Sequence, residues 1–243
     1  MTDLNLTVLS LRYSSWSMRP WLALTHAGAR FDTTTVELPE MQRQTLGSSG
    51  GMTAVVTSLA SRRDMGSVTG LFPVLKVDGR PIHESMAICE WVAETWPGAG
   101  LWPDDPLDRA QARSLCCEML SGFSNLRADL SCHLFARVPP APLRAEVQRD
   151  VNRVHEIWRT QLDRHGGPFL GGRFGVLDCM YYPVLTRFRT YGVALPEDLA
   201  PYAAELESSA PVRALLAVAR GEPRIPIYDD YVRERGGDPD AAL

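Results

Sequence analysis

The stretch YSSWSMRPW, residues 13 to 21, places hydroxyls at Ser14, Ser15 and Ser17 just ahead of an apolar run at helical spacing. Two chemistries use such a cluster. A serine at the start of a helix accepts a hydrogen bond from the free amides of the first turn. Those same amides, with the positive end of the helix dipole, stabilise an anion to which a hydroxyl donates. Capping occupies one serine, and Ser17 is the expected cap. Ser14 and Ser15 stay equivalent as candidates for the anion. Glu84-Ser85 opens a second helical pattern, SMAICEWVAETW, with a cap beside an acid.

Other chemistries find no support. The five cysteines, Cys89, Cys116, Cys117, Cys132 and Cys179, form no CxxC, and their odd number predicts reduced thiols in a cytosolic protein. Cys132 and His133 are adjacent, so they point apart on a helix, and no metal site is expected. The histidines make no triad with the serines. There is no GxSxG elbow, no GxGxxG and no P-loop.

The elements that position these residues alternate early and are helical later. LNLTVLS reads as a strand, WLALTHAG after Pro20 as a helix stopped at Gly28, FDTTTVEL as a second strand, and FPVLKVDGRPIHES as strand, Asp78-Gly79 turn, strand. Ser85 caps the following helix, whose face carries Ala87, Ile88, Trp91, Val92 and Thr95. PGAGLWPDDP is a linker. Residues 107 to 136 read as one long helix ended by the prolines at 139, 140 and 142, with further helices over 143 to 165, 176 to 191 and about 199 to 220.

With 243 residues, two unequal domains are expected: 1–97, and 106–243 after a linker at 98–105. A formal net charge of -4 gives no electrostatic footprint for nucleic acid. The N-terminus lacks the basic and apolar regions of a signal peptide, and no apolar run approaches a membrane span.

This order, with YSSWSMRPWLAL, GLFPVLKVDG, ESMAICEWVAE, WPDDPLDRAQAR and GPFLGGRFGVLDCMYYPVLTRF, resembles the glutathione S-transferase family, in its bacterial serine type near the zeta and theta classes. The resemblance implies an α/β thioredoxin-like N-terminal domain and an all-α helical-bundle C-terminal domain. It implies a cytoplasmic homodimer that uses glutathione as co-substrate against a hydrophobic electrophilic small molecule. Ser14 or Ser15 would hold the thiolate. Phe72, before a cis Pro73, would pair with the cysteinyl main chain, and Glu84 and Ser85 would grip the γ-glutamyl end. Asp178 would cap a helix behind Gly175, with Phe174 and Cys179 as a hydrophobic staple.

The sequence departs from the family in two places. Trp16 stands where zeta-type sequences carry a cysteine, which removes the nucleophile for mixed-disulfide chemistry. Trp16 is a candidate for substrate contact and equally for a packing anchor. The glycine-rich segment between Leu38 and Phe72 is longer than usual, leaving Gln44, Arg62 and Arg63 as candidates for the glycyl carboxylate. Met119, Phe123 and Arg127 recur at i, i+4 and i+8 as candidates for the second-substrate pocket, with Arg127 or Arg113 facing an acidic group and Tyr228 and Tyr231 closing it. The competing readings are a binding protein with a remodelled site, and an isomerase or lyase that works with another thiol.

Overall fold

The computed structural model describes residues 2–36, 63–64 and 66–243, together with the backbone of 41–46 and 51–56. The sheet strands are β1 (Leu4–Val8), β2 (Asp32–Thr35), β5 (Val74–Val77) and β6 (Arg80–His83). A separate antiparallel pair, β3 (Met41–Leu46) and β4 (Gly51–Val56), lies between them in sequence. Helices α1 (Ser15–His26) and α2 (Ser85–Thr95) belong to this half. Then follow α3 (Pro106–Ser121), α4 (Ser124–Asp129), α5 (Ala145–His165), α6 (Val176–Thr190), α7 (Ala200–Ser208), α8 (Ala210–Arg220) and α9 (Pro226–Arg233).

The four-stranded sheet runs in the order β2-β1-β5-β6. β1 and β2 are parallel, joined through α1, while β5 runs antiparallel to both its neighbours. The Asp78-Gly79 turn between β5 and β6 forms as expected, with Asp78 at φ 46° and Gly79 at φ 77°. Leu4, Leu6, Thr7 and Val8 are all buried, because β1 is an inner strand covered on both faces.

α1 starts earlier than the apolar run suggests and carries Pro20 inside it. It packs against α2 on one side and α6 and α8 on the other, so nearly its whole circumference is buried, including Met18, Arg19, Trp21, Leu22 and Leu24. One continuous apolar core runs from the sheet through α1 into the helical half.

The expected long helix over 107 to 136 is two helices. α3 ends at Gly122, whose backbone is extended, and Phe123 takes a left-handed conformation (φ 56°) before α4 begins. A β-carbon at Gly122 would lie 2.8 Å from the Glu118 carbonyl oxygen, so glycine permits this tight exit. Past α4 the chain from Leu130 to Arg144 is not helical. No helix among the described residues is long and apolar enough to cross a membrane.

Asp178 is a buried cap, as expected. Its carboxylate accepts the N–H groups of Gly175 (2.9 Å) and Leu170 (3.1 Å). Gly175 stands where a cap hydroxyl is usual because a β-carbon there would meet the Leu101 carbonyl oxygen at 2.6 Å, while Val176 N–H bonds that same carbonyl. Phe174 packs on His26 and Phe169, and Cys179 is buried. The connecting segment is pinned as well: Arg173 donates to the carbonyls of Gly100 and Trp102 and pairs with Asp104.

Candidate functional site

A cleft of about 350 Å3 opens between the sheet half and the end of α3, lined by Trp16, Thr69, Leu71, Phe72, Pro73, Glu84, Ser85 and Leu120. Four predicted residues (Phe72, Pro73, Glu84 and Ser85) therefore share one wall, and Trp16 places the first turn of α1 on another.

Ser14, not Ser17, caps α1. Ser14 Oγ accepts the Ser17 N–H (3.3 Å) and the Ser17 hydroxyl (3.0 Å). Ser17 lies within the helix, and its Oγ also accepts Leu9 N–H, so it ties the cap to the end of β1. Ser15 Oγ accepts from Arg187 Nη2 at 3.3 Å. Both Ser14 and Ser15 act as acceptors, and neither hydroxyl proton is taken by a described acceptor.

The proline inside α1 shapes the adjoining wall. Pro20 has no N–H to give to the carbonyl four residues back, at Trp16. That carbonyl accepts the Ser85 hydroxyl instead, at 2.9 Å. Ser85 is therefore not the cap of α2 but its first residue, with its hydroxyl committed to α1. Ser85 still lines the cleft, at the positive end of α2. Glu84 precedes it with φ 71° and ψ 130°, a conformation that L side chains rarely adopt, and its exposed carboxylate has no partner among the described residues. The Phe72-Pro73 bond is cis, and neither the N–H nor the carbonyl of Phe72 is bonded by a described residue.

The second-substrate candidates divide. Met119 points into the core, Phe123 sits in the break between α3 and α4, and Leu120 is the residue of that turn that lines the cleft. The break at Gly122 interrupts the helical spacing that put Met119, Phe123 and Arg127 on one face. Arg127 instead turns back to donate to the carbonyls of Met119 (3.0 Å) and Leu120 (3.3 Å). Arg113 is held by Glu90 through two bonds of 2.6 and 3.0 Å and is not free to hold an acid. Tyr231 is fully buried and donates to the Asp129 carbonyl. Tyr228 stacks on Tyr13 at 4.9 Å, so neither tyrosine lines the cleft. Gln44 and Arg62 lie outside the described side chains, and Arg63 is exposed.

A buried polar network behind the serines escaped the sequence reading. Tyr13 donates its hydroxyl to Asp229 at 2.8 Å, His133 Nε2 bonds the same carboxylate at 2.9 Å, and Arg224 reaches it at 3.1 Å. His133 Nδ1 accepts the N–H groups of Phe135 and Ala136, which assigns the ring proton to Nε2 and keeps the imidazole neutral. Burial pushes the Asp229 carboxyl up, but the bonds from His133, Tyr13 and Arg224 outweigh it and hold it down at about 2. Burial holds His133 below its ordinary value, opposed by the bond to Asp229. Burial and the Asp229 bond raise Tyr13, and its hydroxyl proton is donated to Asp229 and so is not offered to a sulfur.

Both Asp229 and His133 titrate lower folded than unfolded, so the stability they contribute is present above about pH 6.5 and is lost as pH falls, first through His133 and then through Asp229. The His133 contribution to the urea midpoint should therefore decline from pH 7 to pH 5, with a slope of at most about 1.4 kcal/mol per pH unit, against an opposite contribution from Asp178, whose carboxyl is raised by burial to about 7. His133→Gln should take this decline out of the curve in that interval; an unchanged slope would remove His133 as its cause. The signal for this network is invisible locally, since its members lie up to 216 positions apart.

Two family models match the chain: the glutathione S-transferase N-terminal domain over residues 13–95 and the glutathione S-transferase C-terminal domain over residues 141–212. Together they span more than half of it, and the chain belongs to the glutathione S-transferase family. It is similar to the maleylacetoacetate isomerase of Rhizobium meliloti (strain 1021), 50% identical over 46 residues, covering 19% of this chain and 22% of that one. It is also similar to glutathione transferase GST 23 of Zea mays, 49% identical over 142 residues, covering 54% of this chain and 60% of that one. The chain thus spans less than two thirds of either relative. Among solved structures, a glutathione transferase homologue from Burkholderia gl BGR1 with bound glutathione superposes with a TM-score of 0.65 at 20% identity, covering 91% of this chain and 100% of that one. That likeness shows the shared fold: a thioredoxin-like half followed by helices.

Proposed function

We propose that the protein is a glutathione-dependent transferase that holds the tripeptide as its thiolate for attack on an electrophilic small molecule. The observation that carries this reading is the convergence of Phe72-Pro73, the strained Glu84-Ser85 pair and the first turn of α1 on one cleft. Glu84 takes the γ-glutamyl ammonium, and the Ser85 N–H with the α2 dipole takes its carboxylate. The Phe72 main chain pairs with the cysteinyl unit, which delivers the sulfur to the capped end of α1. A thiol with an ordinary pKa of about 8.5 is lowered at such a helix start, so its proton passes to solvent without a dedicated base. The thiolate lone pair then forms the bond to carbon, as conjugation, isomerisation and dehalogenation all require.

The units 1–97 and 106–243, a cytoplasmic location, a homodimer and a role in detoxification belong to the same proposal. Light scattering on the purified chain reads the dimer directly.

Glutathione titration by calorimetry, with ultraviolet detection of the thiolate, tests the reading. Binding with a thiolate signal at neutral pH is expected, and absence of binding would favour a remodelled binding protein. Glu84→Gln should weaken glutathione by ten- to a hundredfold, since a hydrogen bond to a charged group contributes about 1.5–3 kcal/mol. An unchanged affinity would take the γ-glutamyl end away from Glu84.

A further inference from the structure

Most arginines of this chain that approach the interior are matched by acids. Arg113 pairs with Glu90, Arg153 with Glu118, Arg189 with Glu207, and Arg12 and Arg224 with Asp240. Three are not. Arg19 is 1% exposed, donates Nε to the Met180 carbonyl at 3.3 Å, and leaves Nη1 without a partner. Arg127 bonds only the carbonyls of Met119 and Leu120. Arg187 bonds the carbonyls of Leu130 and Arg127 and the Ser15 hydroxyl. None of the three forms an ion pair with a described residue.

These cations are gathered around one ring and one hydroxyl. The Arg19 guanidinium lies 4.1 Å from the centre of the Trp16 ring and that of Arg127 5.5 Å from it, while Arg187 touches Ser15. They are close enough to disfavour one another's charge: burial lowers Arg19 to about 9, with Arg187 and Arg127 adding to the effect. Burial likewise lowers Arg127, and Arg187 adds to it. The one acid that opposes this, Asp150, already accepts the Leu126 N–H. A chain with 29 acids and 25 basic residues places none of its described acids in an ion pair with these three, and Asp150 offsets only part of the lowering at Arg127. Partly buried, unmatched positive charge is costly, and an anion that enters the corner removes the cost.

The γ-glutamyl carboxylate of glutathione does not answer to it. The proposed γ-glutamyl end lies at Glu84-Ser85, on the sheet side, whereas Arg127 on α4 and Arg187 on α6 come from the helical half, beyond Ser15. Arg127 lies over Trp16, which lines the cleft, and Arg187 lies behind Ser15.

We propose that the acceptor carries a carboxylate, held by Arg127 and Arg187 beside Trp16 and Ser15, so that the preferred substrates are small anionic electrophiles and not neutral apolar ones. This rests on the transferase reading and replaces the purely apolar acceptor expected from the family resemblance. Arg127, the more accessible cation, binds the carboxylate directly. Arg187 holds Ser15 and adds a second donor, and Arg19 supports both through the field behind Trp16.

The test uses the full chain with two matched pairs of probes. 3-Benzoylacrylate and its primary amide are thiol acceptors that differ only in the charged group; 3-benzoylpropanoate and its amide are their unreactive counterparts. Relative to the uncatalysed rates, kcat/KM should favour the acid by about ten- to a hundredfold, the scale of a hydrogen bond to a charged group. That preference should shrink with added salt and collapse in Arg127→Met, with Arg187→Met as an independent second variant and thermal melting confirming that each is folded. Turnover of the amide as well as the acid, or a preference that survives both variants, overturns the proposal. Calorimetry with 3-benzoylpropanoate separates the two readings. Binding of this anion, lost in Arg127→Met, upholds the anion site even if glutathione fails to bind, in which case the transferase reading falls. No binding of the anion beside normal binding of glutathione overturns the anion site and leaves the transferase reading standing.

Discussion

Ser14→Ala should lower the turnover of bound glutathione by about 10²- to 10³-fold, the effect of deleting one donor aimed at a developing or resident anion. The geometry of the cap singles out this serine. Ser14 Oγ already accepts the N–H and the O–H of Ser17, so its own proton is left for another acceptor at the start of α1. Ser15 Oγ instead faces Arg187 from within the helical half. Ser14→Ala should also lose about 1 kcal/mol of stability, because the same atom caps the helix. Ser15→Ala should weaken catalysis less and act chiefly on the acceptor. Ultraviolet titration of bound thiolate reads the difference: the apparent thiol pKa should rise in Ser14→Ala and hold near its wild-type value in Ser15→Ala. A rise confined to Ser15→Ala would move the sulfur to the other hydroxyl.

The second large effect is on folding. Asp178→Ala should destabilise the protein by about 3–5 kcal/mol, because it strands two buried N–H groups, those of Gly175 and Leu170, and each such loss costs about 1–3 kcal/mol. The loss of the α6 cap adds to this. For a chain of this size that corresponds to a fall in Tm of roughly 10 °C. Asp178→Asn keeps one of the two bonds but turns its NH2 on the other N–H, so it should recover only part of the loss. A melting curve for Asp178→Ala within a degree of wild type would show that the loop at 170–175 is held by something else.

What the sequence revealed, and what it did not, follows the range of the forces involved. β1, β2, β5, the Asp78-Gly79 turn and β6 were legible because alternation and turn chemistry are local. The start of a helix at Glu84-Ser85 was legible for the same reason, although Ser85 opens that helix and does not cap it, and the Asp178 cap followed from the family resemblance. Three features were not. The break at Gly122-Phe123 sits within an unbroken apolar rhythm and depends on a close approach to the Glu118 carbonyl. The early start of α1 was hidden by Pro20, which reads as a boundary until Ser85 is seen to serve the carbonyl that the proline leaves free. The Tyr13-His133-Asp229 network and the unmatched arginines are long-range facts, visible only when distant segments meet. The β3-β4 pair falls where the resemblance to the family was weakest.

The carboxylate of Glu222 accepts the Ser10 hydroxyl and the N–H groups of Leu11 and Arg12, and its other oxygen accepts from Thr35. The loop that leads into Ser14 is thus clamped by a residue 212 positions downstream of Ser10. During synthesis the first half leaves the ribosome with those donors waiting, and the corner that receives the sulfur is finished only when the last helices have been made and have folded back. A fragment of the sheet half alone would own every residue of the cleft's thiol side and still lack its shape.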